Sequence, residues 1–227
     1  MRSPIRVVCY AVNGSGIGHL VRLIGIARWM RRYAAWLRTP FEISFLASSE
    51  ADTLLFREKI PCFKLPSKTA AQEGKLDKAT YLAMAKQWVW HSMALLRPDL
   101  FVADTFPSGS FGELVTSLDL CKRKALILRE MRGDFARKPE VQAMLPLYDS
   151  IIVPSSESEC EVPISASLKG RTHYVGPIAV RERVEMFSRS AALAELGLSG
   201  DKPVVYVSAG GGGDAGEIGR ASCRERV

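Results

Sequence analysis

The fold of this chain is decided by RVVCYAVNGSGIGHLVR, residues 6–22. A run of β-branched and other apolar residues leads into three glycines, Gly14, Gly16 and Gly18, and then into a histidine and a long apolar and basic stretch. This order predicts a buried strand, a tight turn and a helix, which together begin an α/β protein.

The rest of the chain repeats this alternation of short apolar runs and helical patterns. It predicts β-α-β units and a doubly wound parallel sheet. The predicted strands cover residues 6–12, 41–47, 60–65, 99–104, 124–128, 150–154 and 171–175. The predicted helices cover residues 19–37, 51–58, 77–96, 109–118 and 139–147. A charged segment with a further helix follows, and then a new strand at 203–208 that ends in a run of glycines.

Composition narrows the class of protein. The 227 residues are 47% hydrophobic and 24% charged, which is ordinary for a globular protein with a substantial core. Five cysteines lack metal-binding spacing and favour a reducing compartment. The chain enters a strand too early for a signal peptide, and its longest apolar run, 81–96, is interrupted by polar residues. We expect a cytoplasmic protein.

The net charge of +7 comes without a nucleic-acid-reading motif, so no nucleic-acid partner is expected.

The last eleven residues, EIGRASCRERV at 217–227, break the preceding pattern and have no periodicity. Back-translated, they match the reading of a common short-read sequencing adapter. We interpret them as an artefact and expect the natural sequence to continue differently after Gly216. Without their three arginines and two glutamates, the formal charge falls from +7 to +6.

The glycine turn after the first strand has a direct chemical use. At the carboxyl end of a parallel strand, a turn into a helix presents free amides and the positive end of the helix dipole. Gly14, Ser15, Gly16 and Gly18 are therefore predicted to cradle a phosphate or diphosphate. The alternative is a tight turn that only packs the helix on the strand. The spacing fits neither a dinucleotide fingerprint nor a P-loop, although Glu50, after the second strand, is a candidate for a ribose contact.

Two side chains near this edge carry the candidate chemistry. His19, in the first helical turn, is favoured as a neutral imidazole and hence as a general base; the alternative is that it caps the helix. Asp104, in ADTFPSGSFGE at 103–113, is a candidate to orient that histidine or to bind a sugar hydroxyl. Its alternative role is to stabilise the turn and cap the next helix, in which Glu113 would complement the dipole.

Four stretches resemble the amino-terminal half of GT-B glycosyltransferases. They are NGSGIGHLVR at 13–22, RPDLFVADTFPSGSFGEL at 97–114, YDSIIVPS at 148–155 and THYVGPI at 172–178. The chain is especially similar to predicted glycosyltransferases related to the enzyme that adds N-acetylglucosamine to the lipid-linked peptidoglycan precursor. The resemblance extends over most of residues 6–216.

The resemblance implies two facing Rossmann-like domains, one for the acceptor and one for the nucleotide-sugar donor. Residues 1–178 would form the acceptor-side domain, 179–202 a linker and helix, and 203–216 the start of a donor domain. Gly14, Gly16 and Gly18 would line the acceptor side, with His19 as the base or a donor-phosphate contact. The donor loop would include Gly210, Gly211 and Gly212. A nucleotide-diphosphate sugar would be a substrate, with no tightly bound cofactor and no DxD-type metal site.

Three questions stay open at this level. A nucleotide-sugar epimerase has the same scaffold, and a non-catalytic nucleotide-binding protein could use the same first turn. The arginines of the predicted helix 19–37, together with Trp29 or Trp36, are suited to peripheral contact with the inner face of a membrane, as a lipid-linked acceptor would require. A basic face exposed to water is the alternative.

Overall fold

The chain folds around one parallel sheet. The computed structural model describes residues 3–12, 17–129, 133–200 and 203–205. Seven strands are ordered β3-β2-β1-β4-β5-β6-β7, and every neighbouring pair is parallel. The predicted doubly wound, Rossmann-like α/β class is therefore confirmed.

The strands lie close to their predicted positions, each boundary within two residues. They are β1 (Ile5–Val12), β2 (Phe41–Ser48), β3 (Cys62–Lys64), β4 (Leu100–Asp104), β5 (Arg123–Ile127), β6 (Ser150–Val153) and β7 (Thr172–Tyr174). The α-helices are α1 (Gly18–Trp36), α2 (Thr53–Arg57), α3 (Lys68–Glu73), α4 (Lys78–Leu96), α5 (Pro139–Met144) and α6 (Arg189–Glu195). Short 3₁₀ helices complete the connections, among them Leu118–Leu120 and Gly133–Arg137.

Strand β1 divides the core into two layers. Val7, Cys9 and Ala11 face α1 and join the apolar cluster that contains its buried residues Leu20, Leu23, Ile24 and Ala27. Val8 and Tyr10 point to the opposite face and join the cluster that contains Val89 and Met93 of α4. Alternation along a strand that is covered on both faces explains why β1 is a continuous apolar run in the sequence.

The position of β1 marks a switch in the strand order of the sheet. β1 pairs with β2 on one side and with β4 on the other, so consecutive connections diverge at this point of the strand order. In open parallel sheets, ligands bind beyond the carboxyl ends of strands at such a switch in strand order. The ends of β1 and β4 are therefore the place where a site is expected.

The predicted helix at 109–118 is wrong. Residues 113–117 form turns, followed by the 3₁₀ helix Leu118–Leu120. Gly109 and Gly112 have φ angles of +80° and +78°, which are incompatible with a right-handed helix. The Glu113 side chain also accepts hydrogen bonds from the amides of Ser110 and Phe111, at 2.9 and 2.7 Å, in place of helical partners.

The segment after β7 packs back onto α1. Ile178 and Val180 contact the apolar cluster on the α1 face of the sheet. Arg28 of α1 forms ion pairs with Glu58, at 2.6 Å, and with Glu185. Of the predicted strand at 203–208, residues 203–205 have no regular secondary structure, and the remainder lies outside the described residues.

Candidate functional site at the carboxyl ends of β1 and β4

The first turn of α1 contains backbone amides without a helical partner. The Ile17 carbonyl accepts the first hydrogen bond of the helix, from the Val21 amide at 3.0 Å. The amides of Gly18, His19 and Leu20 therefore have no partner within the helix. Ile17 makes no side-chain capping bond, and the first turn has no acidic residue. Nothing in the side chains of this turn offsets the positive end of the dipole.

Only part of the predicted glycine cradle is described. Gly18 is the first residue of α1 and is exposed, and a Cβ atom placed on it would meet nothing within 4 Å. Its lack of a side chain therefore leaves open space instead of allowing close packing within the protein. Gly14, Ser15 and Gly16 lie outside the described residues, as do Gly210, Gly211 and Gly212.

His19 and Asp104 meet at this edge of the sheet. Nδ1 of His19 lies 2.9 Å from Oδ1 of Asp104, although the two residues are 85 positions apart in the sequence. The Asp104 side chain is fully buried, and that of His19 is 18% exposed. An ionised carboxylate only accepts, so in the neutral imidazole this contact places the hydrogen on Nδ1 and leaves the accepting lone pair on Nε2. The imidazole bonds to Asp104 and does not cap the helix.

Arg22 is a third member of the site that the sequence pattern did not identify. Its Nη1 lies 2.7 and 2.6 Å from the two carboxylate oxygens of Asp104. Arg22 follows His19 by three residues, a spacing that places both side chains on one face of α1. The spacing could have indicated that the two side chains lie together. It could not reveal that Arg22 binds Asp104, which is 82 residues away. The guanidinium offsets the buried charge of Asp104.

Thr105 completes the environment of the carboxylate. Its hydroxyl donates to Oδ1 of Asp104, and its amide donates to the Ile127 carbonyl at 2.7 Å. Thr105 is fully buried and has a φ angle of +69°, which is unusual for a β-branched residue. Such backbone strain, on the order of 1–3 kcal/mol, is concentrated at functional sites. Here it accompanies a hydroxyl that helps to fix Asp104.

The second glycine-rich turn, after β4, is filled by its own carboxylate. The buried Glu113 side chain accepts the amides of Ser110 and Phe111 and the hydroxyl of Tyr10 on β1. Burial first, and then the charge of Glu113, raises the pKa of Tyr10 well above its usual range. A Cβ on Gly109 would collide with the Glu113 carboxylate. Glu113 thus organises this loop and is not the helix-dipole residue we expected.

Glu50, after β2, is also engaged by the protein itself. Its Oε2 lies 2.8 Å from the Lys64 ammonium, and its Oε1 accepts the Ser67 amide at 2.8 Å. The Lys64 hydrogen bond and then the Ser67 amide hold the pKa of the Glu50 carboxyl below its usual range. These contacts orient Glu50 toward Lys64 and the start of α3.

Metal ligands and membrane-spanning helices can be assessed in the part of the chain that the structure describes. Within it, no three or more histidine, cysteine or acidic side chains are grouped so that they could hold a metal ion. None of its helices has both the length and the apolar character needed to cross a bilayer.

Comparison with known proteins finds similar folds among solved structures. No family model and no curated sequence matches the chain. The crystal structure of MurG from Acinetobacter baumannii is similar over 81% of this chain and 48% of that protein, with 15% identity and a TM-score of 0.52. A glycosyltransferase from Rickettsia africae is similar over 89% and 52%, with 7% identity and a TM-score of 0.52. A UDP-N-acetylglucosamine 2-epimerase is similar over 77% and 49%, with 12% identity and a TM-score of 0.54.

These likenesses establish the class of fold. The chain has the Rossmann-like α/β architecture found in glycosyltransferases and in a nucleotide-sugar epimerase. It spans about half the length of these three proteins.

Proposed function

We propose that this chain is the acceptor-side part of a nucleotide-sugar-dependent glycosyltransferase. The observation that carries the proposal is the bond between His19 and Asp104 at the switch in strand order, beside the uncapped first turn of α1. A base with a proton-accepting nitrogen can activate an acceptor hydroxyl, and amides without helical partners can stabilise a leaving diphosphate.

The proposed step begins with the acceptor hydroxyl near Nε2 of His19. The hydroxyl proton passes to Nε2 as the acceptor oxygen forms a bond to the anomeric carbon of the donor. The bond between that carbon and the diphosphate oxygen breaks, and the nucleoside diphosphate leaves with the bonding electrons. General-base assistance of this kind supplies on the order of 10²–10⁴-fold in rate.

Asp104 and Arg22 would serve this step indirectly. Asp104 holds the Nδ1–H of His19 and stabilises the imidazolium that forms when Nε2 takes the proton. Arg22 and Thr105 fix the carboxylate in turn. Asp104 is thus a positioning residue for His19, and Arg22 is a positioning residue for Asp104.

The remaining parts of the proposal concern the donor. The glycine turn of residues 14–18 would face the leaving diphosphate or the acceptor, and Gly210, Gly211 and Gly212 would belong to a donor domain that begins near residue 203. The nucleotide-diphosphate sugar is a substrate, and the charge of its leaving group would be stabilised by backbone amides and helix termini. The proposal extends to a lipid-linked acceptor. Such an acceptor would bring α1 into contact with the inner face of a membrane.

The test requires the natural gene product, read through the sequence that follows residue 216. The purified protein is incubated with nucleotide-diphosphate sugars, with and without hydroxyl acceptors, and release of the nucleoside diphosphate is measured. We expect release that depends on an acceptor and is lost in His19→Ala. His91→Ala is the matched control, because His91 lies exposed on α4 and bonds only to the Gln87 carbonyl among the described contacts. Epimerisation of the sugar without transfer, or full turnover in His19→Ala, would contradict the proposal.

A further inference from the structure

A cavity lies at the amino-terminal ends of β1 and β2, at the edge of the sheet opposite the candidate site. Its volume is about 400 Å³. We call it the amino-edge cavity. Its lining combines charged, polar and apolar side chains, among them Arg6, Val8, Glu42, Ser44, Phe63 and Leu95.

The amino-edge cavity forms where α4 ceases to cover the sheet. In the register of β1 and β2, Tyr10 pairs with Leu46, and Arg6 pairs with Glu42. All four side chains belong to one face of the sheet, because alternate residues of a strand point the same way. Tyr10 and Leu46 are buried in the cluster that contains α4 residues. Arg6 and Glu42 are exposed, and α4 ends at Leu96, which also lines the cavity.

Part of the lining is apolar and in contact with solvent. Phe63, on the edge strand β3, is 47% exposed, and Leu95, in the last turn of α4, is 83% exposed. Single exposed apolar side chains are ordinary on a protein surface. Two that border one cavity, together with Val8 and Pro61, provide an apolar surface for a ligand.

The charged part of the lining is an ion pair with unused bonding capacity. Nε of Arg6 lies 3.2 Å from Oε2 of Glu42, and the two side chains are 48% and 61% exposed. Among the contacts of the described residues, the terminal nitrogens of Arg6 and Oε1 of Glu42 have no partner. The nearby Ser44 hydroxyl also has none among them. The cavity therefore presents a cationic donor and an anionic acceptor side by side.

We propose that the amino-edge cavity binds a free apolar α-amino acid. The carboxylate of the ligand bonds to the Arg6 guanidinium, its ammonium bonds to Glu42, and its side chain packs against Phe63 and Leu95. An α-amino acid carries both charges on groups attached to one carbon, and the apolar side chain is attached to the same carbon. The guanidinium is well suited to a carboxylate because its donors lie in one plane.

The ion pair selects a zwitterion over other ligands. A carboxylate without an ammonium would lie beside the like charge of Glu42, and an amine without a carboxylate would lie beside that of Arg6. A phosphate would be repelled by Glu42 in the same way. The hydroxyls of a sugar would lack partners on the apolar lining. This binding site is therefore distinct in chemistry from the proposed glycosyltransferase site and does not depend on it.

The experiment is an amide NMR titration of the 227-residue chain with L-phenylalanine and with three probes that each lack one part of it. 3-Phenylpropionate lacks the ammonium, phenethylamine lacks the carboxylate, and glycine lacks the apolar side chain. We expect L-phenylalanine to shift the amide resonances of Val8, Ser44 and Phe63 saturably. Each of the other probes should bind about three- to fivefold more weakly or worse, which is the contribution of one exposed ion pair or of a small apolar contact.

Two charge variants separate a binding role from a structural one. Glu42→Gln should weaken L-phenylalanine about three- to fivefold without weakening 3-phenylpropionate, because only the partner of the ammonium is lost. Arg6→Gln should weaken L-phenylalanine similarly without weakening phenethylamine. Arg123→Gln is the matched control and should change nothing. Arg123 begins β5 at the same edge of the sheet and forms an exposed ion pair with Asp149 at 3.4 Å, but it does not line the cavity.

Three results would overturn the inference. They are the absence of saturable shifts at the cavity amides, binding of 3-phenylpropionate or phenethylamine as tight as that of L-phenylalanine, and charge variants that weaken every probe equally. Circular dichroism melting verifies that each variant is folded. The outcome is separate from that of the proposed function, because no measurement here involves His19 or transfer of a sugar.

Discussion

The two glycine-containing strand exits beside the candidate site differ in the partners of their described backbone amides. After β1, the helix begins at Gly18 without a side-chain cap or an acidic residue in its first turn. After β4, the amides of Ser110 and Phe111 are already bonded to the buried carboxylate of Glu113. Within the described residues, the first exit leaves amides without a partner inside the helix, whereas the second supplies its own anion.

This difference shows that a glycine-rich strand exit is not by itself a binding site. Gly109 is needed because its φ angle is +80° and because a side chain would collide with Glu113. Gly18 meets nothing of the protein where a side chain would be. Glycine at position 109 therefore makes room for another side chain of the protein, whereas glycine at position 18 leaves space that the protein does not fill.

The largest expected effect is the loss of turnover in His19→Ala, at the start of α1. In the natural gene product, we expect turnover to fall about 10²–10⁴-fold, because the proton acceptor is lost. The free energy of unfolding should change by less than about 1 kcal/mol, because the imidazole is partly exposed and Asp104 keeps its bonds to Arg22 and Thr105. Steady-state kinetics measure the turnover, and urea unfolding measures the stability. A parallel loss of turnover and stability would indicate a structural role only.

The next effect concerns the buried charge of Asp104, which lies against His19 and Arg22. Arg22→Met leaves the fully buried Asp104 carboxylate without its cation, which should reduce stability by about 3–5 kcal/mol. Urea unfolding measures the loss. Adding Asp104→Asn to the same variant removes the stranded charge and should recover part of the stability. If the double variant is no more stable than Arg22→Met alone, the guanidinium is not balancing Asp104.

A matched pair of glycine variants compares the two exits directly. Gly109→Ala should lower stability by about 2 kcal/mol or more, because alanine at that positive φ is strained and its Cβ meets Glu113. Gly18→Ala should change stability by no more than about 1 kcal/mol, since the added methyl enters open space at a helix start. Thermal unfolding measures both. Equal losses would show that the β1 exit is packed and closed.

The smallest effect lies at a third strand exit, after β2. The pKa of Glu50 is lowered from its usual 4.5, mainly by Lys64 and the Ser67 amide. A depressed folded-state pKa contributes stability above the unfolded pKa, and this contribution is lost as the pH falls through the folded one. Wild type should therefore exceed Glu50→Gln by less than about 1 kcal/mol at pH 7, because the side chain is half exposed. Urea unfolding at pH 7 and pH 3 should show the difference shrinking, and a constant difference would contradict this account.

The sequence predicted the strands well because parallel strands buried on both faces appear as uninterrupted apolar runs. It failed at residues 109–118 because the decisive contact is tertiary. Glu113 is held there by Tyr10, which is 103 positions away on β1. A helical pattern in the local sequence cannot reveal that its acidic residue is committed to the loop amides.

The candidate site was predictable only in part, for a similar reason. His19 and Asp104 were predicted from their positions at strand ends, with Asp104 as a candidate to orient the histidine, and the structure brings them together at 2.9 Å. Arg22 and Thr105 were missed as members of the site because their roles depend on where Asp104 lies in space. Their local signals, a helical spacing of three and a threonine after an aspartate, are too common to indicate a site.

The most direct test of the difference between the two exits is an amide NMR titration of the 227-residue chain with inorganic pyrophosphate. We expect the amide resonances of Gly18, His19 and Leu20 to shift saturably, and those of Ser110 and Phe111 to remain unchanged because Glu113 already occupies them. Shifts confined to the β4 exit, equal shifts at both exits, or none at the start of α1 would contradict the account.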